Sequence, residues 1–285
     1  MGRKWFVIFM QLAAFGPLWA DCSTPLAQLS PLDRKAIHQE ILTDLQEGSI
    51  VQANVARKNG NTHDLWFVEV FNPRTQRSRQ AVMKPREWGD SDGWARAPME
   101  LVAYRLNRLL DLDYVPPTVY RRTLHTTHRL IHEAPLIHLV PDALILDQTP
   151  VDSWGLSPAA ITSDHRILNV LLHNSDGHHK NMLLGTHWAE KNLHPVFIDF
   201  GASFRRGTHV TMRYYPAKNN SEPVAQVRRK TFEALIRLTP EQLTEFKEHL
   251  SPHELSDLLK RRDGIVSYFG KLIQDHGEAA VLLEE

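Results

Sequence analysis

The chain has 285 residues, 42% hydrophobic and 23% charged, with 33 Lys and Arg against 33 Asp and Glu. That is the make-up of an ordinary globular protein of one large domain or two small ones, and 14 Gly, 17 Pro and no biased tract exclude collagen-like and disordered chains. A formal net charge of zero supplies no long-range field toward nucleic acid or anionic lipid, so neither is expected as a partner except through a local patch.

The first twenty residues are read apart from the fold. Met1-Gly-Arg3-Lys4 is a short basic start, Trp5 to Phe15 an apolar run, and Leu18-Trp19-Ala20 a candidate processing site. Spanning a bilayer takes about 20 apolar residues. This run is shorter and no later stretch exceeds it, so residues 1–20 are expected to be a cleaved secretory signal, the protein secreted or extracytoplasmic, and stable membrane insertion absent. Cys22 makes a lipoprotein the second reading, because Asp21 before it is a poor match to the small residue such processing prefers. It is the only cysteine, so an intrachain disulfide is ruled out.

Ser30-Pro31-Leu32-Asp33 joins a capping residue to a proline at the first helical position, and Ile37, Ile41, Leu42 and Leu45 continue at helical spacing up to Gly48. Strand-like runs follow at Ile50 to Ala56, Leu65 to Phe71 and Gln80 to Met83. The turns Lys58-Asn-Gly-Asn61 and Asn72-Pro-Arg-Thr75 between them predict a three-stranded antiparallel meander. After the loop Gly89-Asp-Ser-Asp-Gly93, Pro98 opens a helix with Met99, Val102, Ala103, Leu106, Leu109 and Leu110 on one face. Val115-Pro-Pro117 stops it, and Thr118 to Leu124 and Leu130 to Val140 read as two further strands.

From Ser157-Pro158 the pattern is mainly helical, and the apolar run Ile167 to Leu172 ends at His173-Asn-Ser-Asp-Gly177. Two short strands are expected at Met182 to Leu184 and Val196 to Ile198. Pro223 to Leu283 reads as helical throughout, with Thr239-Pro-Glu-Gln242 and Ser251-Pro-His-Glu254 as helix starts.

Several residues in this order carry the chemistry of phosphoryl transfer. Lys84 ends the strand Ala81-Val-Met-Lys84, where a cation can pair with nucleotide phosphates, and Glu100 lies one turn into the next helix, placed to hold it. Asp176 and Asn181 stand five apart around Gly177-His-His-Lys180, and Asp199-Phe200-Gly201 follows a short strand. Transfer of a phosphoryl group is mostly positioning and charge neutralisation. Hard cations need oxygen ligands, which Asn181 and Asp199 offer, and Asp176 can orient or deprotonate an attacking hydroxyl. The cluster His125, His128 and His132 has one i, i+3 pair but no fourth ligand at zinc-finger spacing, so an exposed polar edge is the favoured reading over zinc.

The run Asn174-Ser-Asp-Gly-His-His-Lys-Asn181 followed by Ile198-Asp-Phe-Gly201 resembles the catalytic and metal loops of phosphoinositide lipid kinases and of the secreted kinases called "family with sequence similarity twenty". The second group fits better. Met83-Lys-Pro85, the helix from Met99 to Asp111 and the exit Val115-Pro-Pro117 are similar to its N-lobe signature in the same order, over about Ile50 to Phe204. The resemblance implies an α+β, two-lobed, protein-kinase-like fold: residues 21–140 as an N-terminal helix and antiparallel-sheet N-lobe, residues 141–285 as a mainly helical C-lobe. It implies transfer of the γ-phosphate of ATP, with Mg²⁺ or Mn²⁺, to a hydroxyl of a protein Ser/Thr or a glycan.

Carried over by position, Lys84 binds phosphate, Glu100 supports it, Asp176 is the base, and Asn181 and Asp199 hold metal, with adenine against the backbone near Val140 to Asp142. His178 has two readings, a lipid-kinase-like base or a residue that orients the loop, the second being favoured. Three departures stand out. There is no Gly-x-Gly-x-x-Gly lid, so phosphate cover falls to Lys58 to Asn61 or Gly89 to Gly93. The disulfide staples of the animal kinases are missing, and Asn181 stands where that family often has an acid. Arg205-Arg206 is either an acceptor-binding pair or solvated surface. The alternatives to an exported kinase are a pseudokinase binding module and a phosphoinositide lipid kinase.

Overall fold

The computed structural model describes residues 31–56, 65–85, 96–126, 129–204, 207–217 and 220–285. The signal segment 1–20, Cys22, the turn Lys58 to Asn61, the loop Gly89 to Gly93, His128 and Arg205-Arg206 lie outside these residues.

Helix α1 (Pro31–Glu47) is followed by strands β1 (Ser49–Ala56), β2 (Leu65–Asn72) and β3 (Arg77–Met83). The helix stops at Gly48, whose N–H bonds the Asp44 carbonyl at 2.9 Å and where a Cβ would sit 2.6 Å from Val70 Cγ1, so only glycine lets the chain turn this close to the sheet. Strand β2 alternates as its sequence dictates, burying Trp66, Val68 and Val70. The expected meander forms, with Val55 opposite Trp66 and Trp66 opposite Met83.

Helix α2 (Pro98–Leu109) leads to β4 (Thr118–Arg121), β5 (Leu124–His125), β6 (Leu130–Ile131) and β7 (Ala134–His138). Each of the two long runs expected here is thus broken into two short strands. Arg122 and Thr123 are both exposed before buried Leu124, and that pair of exposed neighbours cannot fit the two-residue alternation of one straight strand. Strands β5 and β6 leave to form their own ladder, while β7 pairs β3 and β4 pairs β7. The result is an antiparallel five-stranded sheet in the order β1-β2-β3-β7-β4.

After β8 (Leu144–Ile145) and two 3₁₀ turns, α3 (Pro158–Leu172) is capped by Ser157 and buries most of its positions. Strands β9 (Met182–Thr186) and β10 (Leu193–Phe197) complete a three-stranded sheet in the order β10-β9-β8. A hairpin of β11 (Arg213–Ala217) and β12 (Asn220–Pro223) follows, then β13 (Val227–Arg228), α4 (Arg229–Arg237), α5 (Pro252–His276), α6 (Glu278–Val281) and β14 (Leu282–Leu283), which pairs β13 in parallel.

The stretch from Pro223 to Leu283 is therefore not helical throughout. Gln242 Oε1 does accept the Thr239 N–H at 2.9 Å, but the chain makes only the 3₁₀ turn Thr244–Glu248 before Ser251 and Pro252 start a new helix. That second start carries the full capping box between Ser251 and Glu254.

Buried apolar side chains fall into two clusters. One joins α1 to the five-stranded sheet through Ile41, Leu45, Val68, Val70 and Met83, and the larger one gathers α2, α3, β9, β10 and the C-terminal helices around Leu106, Leu168, Phe197 and Phe269. Inside the larger cluster Asp164 is fully buried, ion-paired with Arg228 and bonded by the hydroxyls of Tyr114 and Thr231 at 2.9 Å each. Burial raises its carboxyl above the usual range, against the pull of Arg228. Among the described residues no helix is long and apolar enough to cross a membrane.

Candidate functional site

Lys84 lies directly beyond β3, where the strand emerges from the sheet core at buried Met83. Its Nζ is 2.5 Å from Glu100 Oε1 and 2.9 Å from Asp199 Oδ1. Glu100 comes from the first turn of α2, next to a proline that fixes the helix start, and is 2% exposed. Both of its carboxylate oxygens also accept the Phe200 N–H, at 3.3 Å. Three segments far apart in sequence thus meet at one ammonium. Burial pulls the Lys84 pKa down, but Asp199 and Glu100 outweigh it and the net shift is upward, so the cation is held charged. A second tie between the same regions is Arg96 N–H to the Gly201 carbonyl at 2.9 Å, with Arg96 also paired to Glu254 at 2.5 Å.

The Asp176 loop grows out of the end of α3. His173 terminates the helix in the left-handed region at φ 48°, and Asn174 then turns inward, 9% exposed. Its amide reaches Asn169 Oδ1 at 2.8 Å and the Asp199 carbonyl at 3.2 Å, and its Oδ1 accepts the Asp176 N–H at 3.1 Å. Gly177 is required here, since a Cβ would lie 2.3 Å from Asn169 Oδ1.

Asn181 is buried and gives its amide N–H to the Asp176 carbonyl at 2.9 Å, which leaves its Oδ1 as the end available to a cation. The Ile198 N–H bonds the Asn181 carbonyl at 3.0 Å, so Asn181 and the residue before Asp199 are neighbours across the backbone. Asp199 itself takes φ 67°, a left-handed conformation that costs an L-residue roughly 1–2 kcal/mol and that the Asn174 and Lys84 contacts help to hold.

Of the residues singled out in the sequence, Lys84 touches both Glu100 and Asp199, and Asp176 and Asn181 join the same network through backbone atoms. The His178 N–H bonds the Asp176 carbonyl at 2.9 Å, but the two side chains stand farther apart, Nε2 lying 3.7 Å from Oδ1 with both about half exposed. His179 approaches Asp147 instead, at 3.6 Å. Asp142 is exposed in the left-handed turn between β7 and β8, and among the described residues no hydrogen bond or ion pair joins it to this cluster. His125 and His132 are exposed on the β5–β6 hairpin. Reading the sequence missed Asn169, Asn174 and Arg96; the available signal was a pair of amide residues at the polar end of an otherwise apolar helix.

The donor set suits Mg²⁺ or Mn²⁺ when nucleotide supplies further oxygens. Mg²⁺ is held by one or two carboxylates plus phosphate and water more often than by an all-protein cage, and Asp199 with Asn181 matches that pattern. No cluster of three His, Cys, Asp or Glu that could hold a metal alone is found among the described residues. A separate cavity of about 370 Å³ is lined by α1, α2 and β4 residues including Gln39, Tyr104 and Tyr120; none of the Lys84 cluster lines it. No protein-family model and no curated protein matches the chain.

Proposed function

We propose that this protein is an exported atypical kinase that transfers the γ-phosphate of ATP to a hydroxyl of a protein Ser/Thr or a glycan. The observation that carries the reading is the Lys84 ammonium bridging buried Glu100 and half-exposed Asp199, the three residues coming from three separate segments. A strand lysine paired with a helix glutamate beside an Asp-Phe-Gly triplet is the arrangement phosphoryl transfer by protein kinases requires. Two apolar clusters, one built on an antiparallel sheet and one mainly on helices, fit a two-lobed body with this cleft between them.

In this reading Lys84 binds phosphate oxygens as a permanent cation, and Glu100 keeps it from swinging away. Asp199 and Asn181 hold Mg²⁺ or Mn²⁺, which supplies charge neutralisation for the phosphates. Asp176, whose carboxylate is 45% exposed, accepts the proton of the acceptor hydroxyl at Oδ. His178 steers the loop or the acceptor instead of completing a bonded dyad, because its imidazole lies beyond hydrogen-bond reach of the Asp176 carboxylate.

The test is thermal unfolding of the full chain with ATP, with and without Mg²⁺ or Mn²⁺, beside Asp199→Ala and Asp176→Ala. At a nucleotide concentration 100 times Kd, linkage gives about 2.7 kcal/mol, a rise of roughly 5–10 °C for a domain of this size. The expected pattern is a metal-dependent rise in the parent, lost in Asp199→Ala and kept in Asp176→Ala, which in turn loses phosphate transfer by about 10²–10⁴-fold. Binding without transfer to any hydroxyl would favour the pseudokinase, transfer to phosphoinositide the lipid kinase, and no rise at any metal would sink the kinase reading.

A further inference from the structure

One side chain contacts both acidic segments of the cleft at once. Asn174 gives one amide hydrogen bond to the Asp199 carbonyl at 3.2 Å and one to Asn169 Oδ1 at 2.8 Å, while its Oδ1 takes the Asp176 N–H at 3.1 Å. Asn169, 2% exposed, is in turn locked to α3 by its own amide bond to the His165 carbonyl at 2.8 Å. The Asn174 N–H also bonds the Asn169 carbonyl at 2.9 Å. The whole bracket therefore stands on the last turns of α3, a helix buried along most of its length.

The chemistry of the position selects asparagine. Its neighbours present two acceptors, the Asn169 and Asp199 oxygens, and one donor, the Asp176 N–H. A neutral side-chain amide has two donors and an acceptor to match them. An aspartate of the same shape keeps the acceptor but turns two attractions into oxygen–oxygen repulsions, and adds a third carboxylate beneath Asp176 and Asp199. A serine has a single hydroxyl on a shorter arm, which cannot span both acceptors.

We propose that Asn174 is a positioning residue that sets the separation of Asp176, the proton acceptor, from Asp199, the ligand of the nucleotide-bound divalent cation. This rests on the kinase reading and deepens it. Asn174 touches neither reacting atom; it acts through the Asp199 carbonyl and the Asp176 amide. The left-handed backbone of Asp199 makes the point sensitive, since a peptide turned to φ 67° relaxes when the bond to its carbonyl is removed.

The experiment uses the full chain with Asn174→Asp and Asn174→Ser, and with Asn72→Ala as a control. Asn72 is also buried, donates to Asp44 at 3.2 Å, accepts from the Arg74 N–H at 3.0 Å and lies at the far end of β2. The probe is Mn²⁺ titrated at fixed ATP, read by the melting temperature, which yields an apparent metal affinity without any acceptor. Loss of a group that orients a metal ligand typically weakens metal binding by about 10–100-fold, and that is the expected result for both Asn174 variants. Asn72→Ala should lower the metal-free melting temperature and leave the affinity within about twofold. If Asn174→Asp does not fold, Asn174→Ser decides.

Folded Asn174 variants with parental Mn²⁺ affinity would overturn the proposal. Amide hydrogen exchange without nucleotide separates this failure from failure of the kinase reading. In Asn174→Ser the Asp176 amide should exchange at least tenfold faster. Unchanged exchange refutes the bracket itself, whereas faster exchange in a chain whose parent never responds to ATP and metal refutes the kinase reading on which the role depends.

Discussion

Replacing Glu100 by Gln removes one of the two carboxylates that hold Lys84 and leaves the shape of the site unchanged. Two unit charges about 4 Å apart attract by roughly 4 kcal/mol at an effective dielectric of 20. The Lys84 side chain is 27% exposed and keeps Asp199, so part of this is screened or retained, and the net loss should be about 2 kcal/mol. For a chain of this size that is a fall of roughly 4–8 °C in Tm. Lys84→Met should cost more, about 3–5 kcal/mol, because it strands a glutamate that is 2% exposed. Adding Glu100→Gln to Lys84→Met should then recover about 2 kcal/mol, since the stranded charge is gone. A double-mutant cycle by urea unfolding measures this coupling directly. Strict additivity, within about 0.5 kcal/mol, would refute the claim that the two charges act on each other.

The pH dependence carries a sign that can be checked in the same cycle. The Lys84 pKa is raised in the folded state, so its contribution is fully present below the ordinary lysine value of about 10.4 and is lost only as pH rises through the higher folded value. The difference between parent and Lys84→Met should be flat from pH 6 to 9 and shrink above about pH 10.

Two further outcomes concern stability away from the Lys84 cluster. Ser251→Ala removes the reciprocal cap at the start of α5 and should cost about 1 kcal/mol, seen as a drop of roughly 2–4 °C in Tm with an unchanged urea m-value. Acid should weaken the fold through its histidines: burial lowers His38, His138 and His194 to about 4 and His165 to about 3. Their neutral forms stabilise the folded state above the ordinary value of about 6.5, and this is lost as pH falls through about 4. The urea midpoint should decline steadily from pH 6.5 to 4, less steeply in His38→Leu, which no longer titrates between Tyr104 and Trp188. Identical slopes in the two proteins would contradict the assignment for His38.

Local features were legible in the sequence because short-range chemistry decides them. The proline-led starts of α1, α2, α3 and α5, the stop at Gly48 and the three-strand meander follow from caps, turns and periodicity within a few residues. So does the order of Lys84, Glu100, Asp176, Asn181 and Asp199, which is a matter of spacing along one chain. Three things were beyond that range. The runs 118–124 and 130–140 are rich in strand-forming residues, but where each breaks depends on which residues reach a core that other segments build. The parallel pairing of β13 with β14 unites residues more than fifty positions apart, such as Val227 with Leu282, and no local pattern announces it. The polar restart at Thr239 satisfies the helix-start pattern yet yields a single 3₁₀ turn at Thr244–Glu248 before Ser251 and Pro252 open the next helix.

The residue types and their order along the chain, a cation after a strand, an acid in the first turn of a helix, amides and acids in tight loops, were settled by the sequence alone. Only the tertiary structure decided that Lys84 and Asp199, 115 positions apart, share a hydrogen bond at 2.9 Å, that Asn174 sits beneath both acidic loops, and that Asp142 stands apart from the cluster while the His178 imidazole lies 3.7 Å from the Asp176 carboxylate. The physical reason is that side-chain contacts across such separations are set by how the two apolar clusters bury themselves and bring their edges together, a global balance that no window of sequence contains.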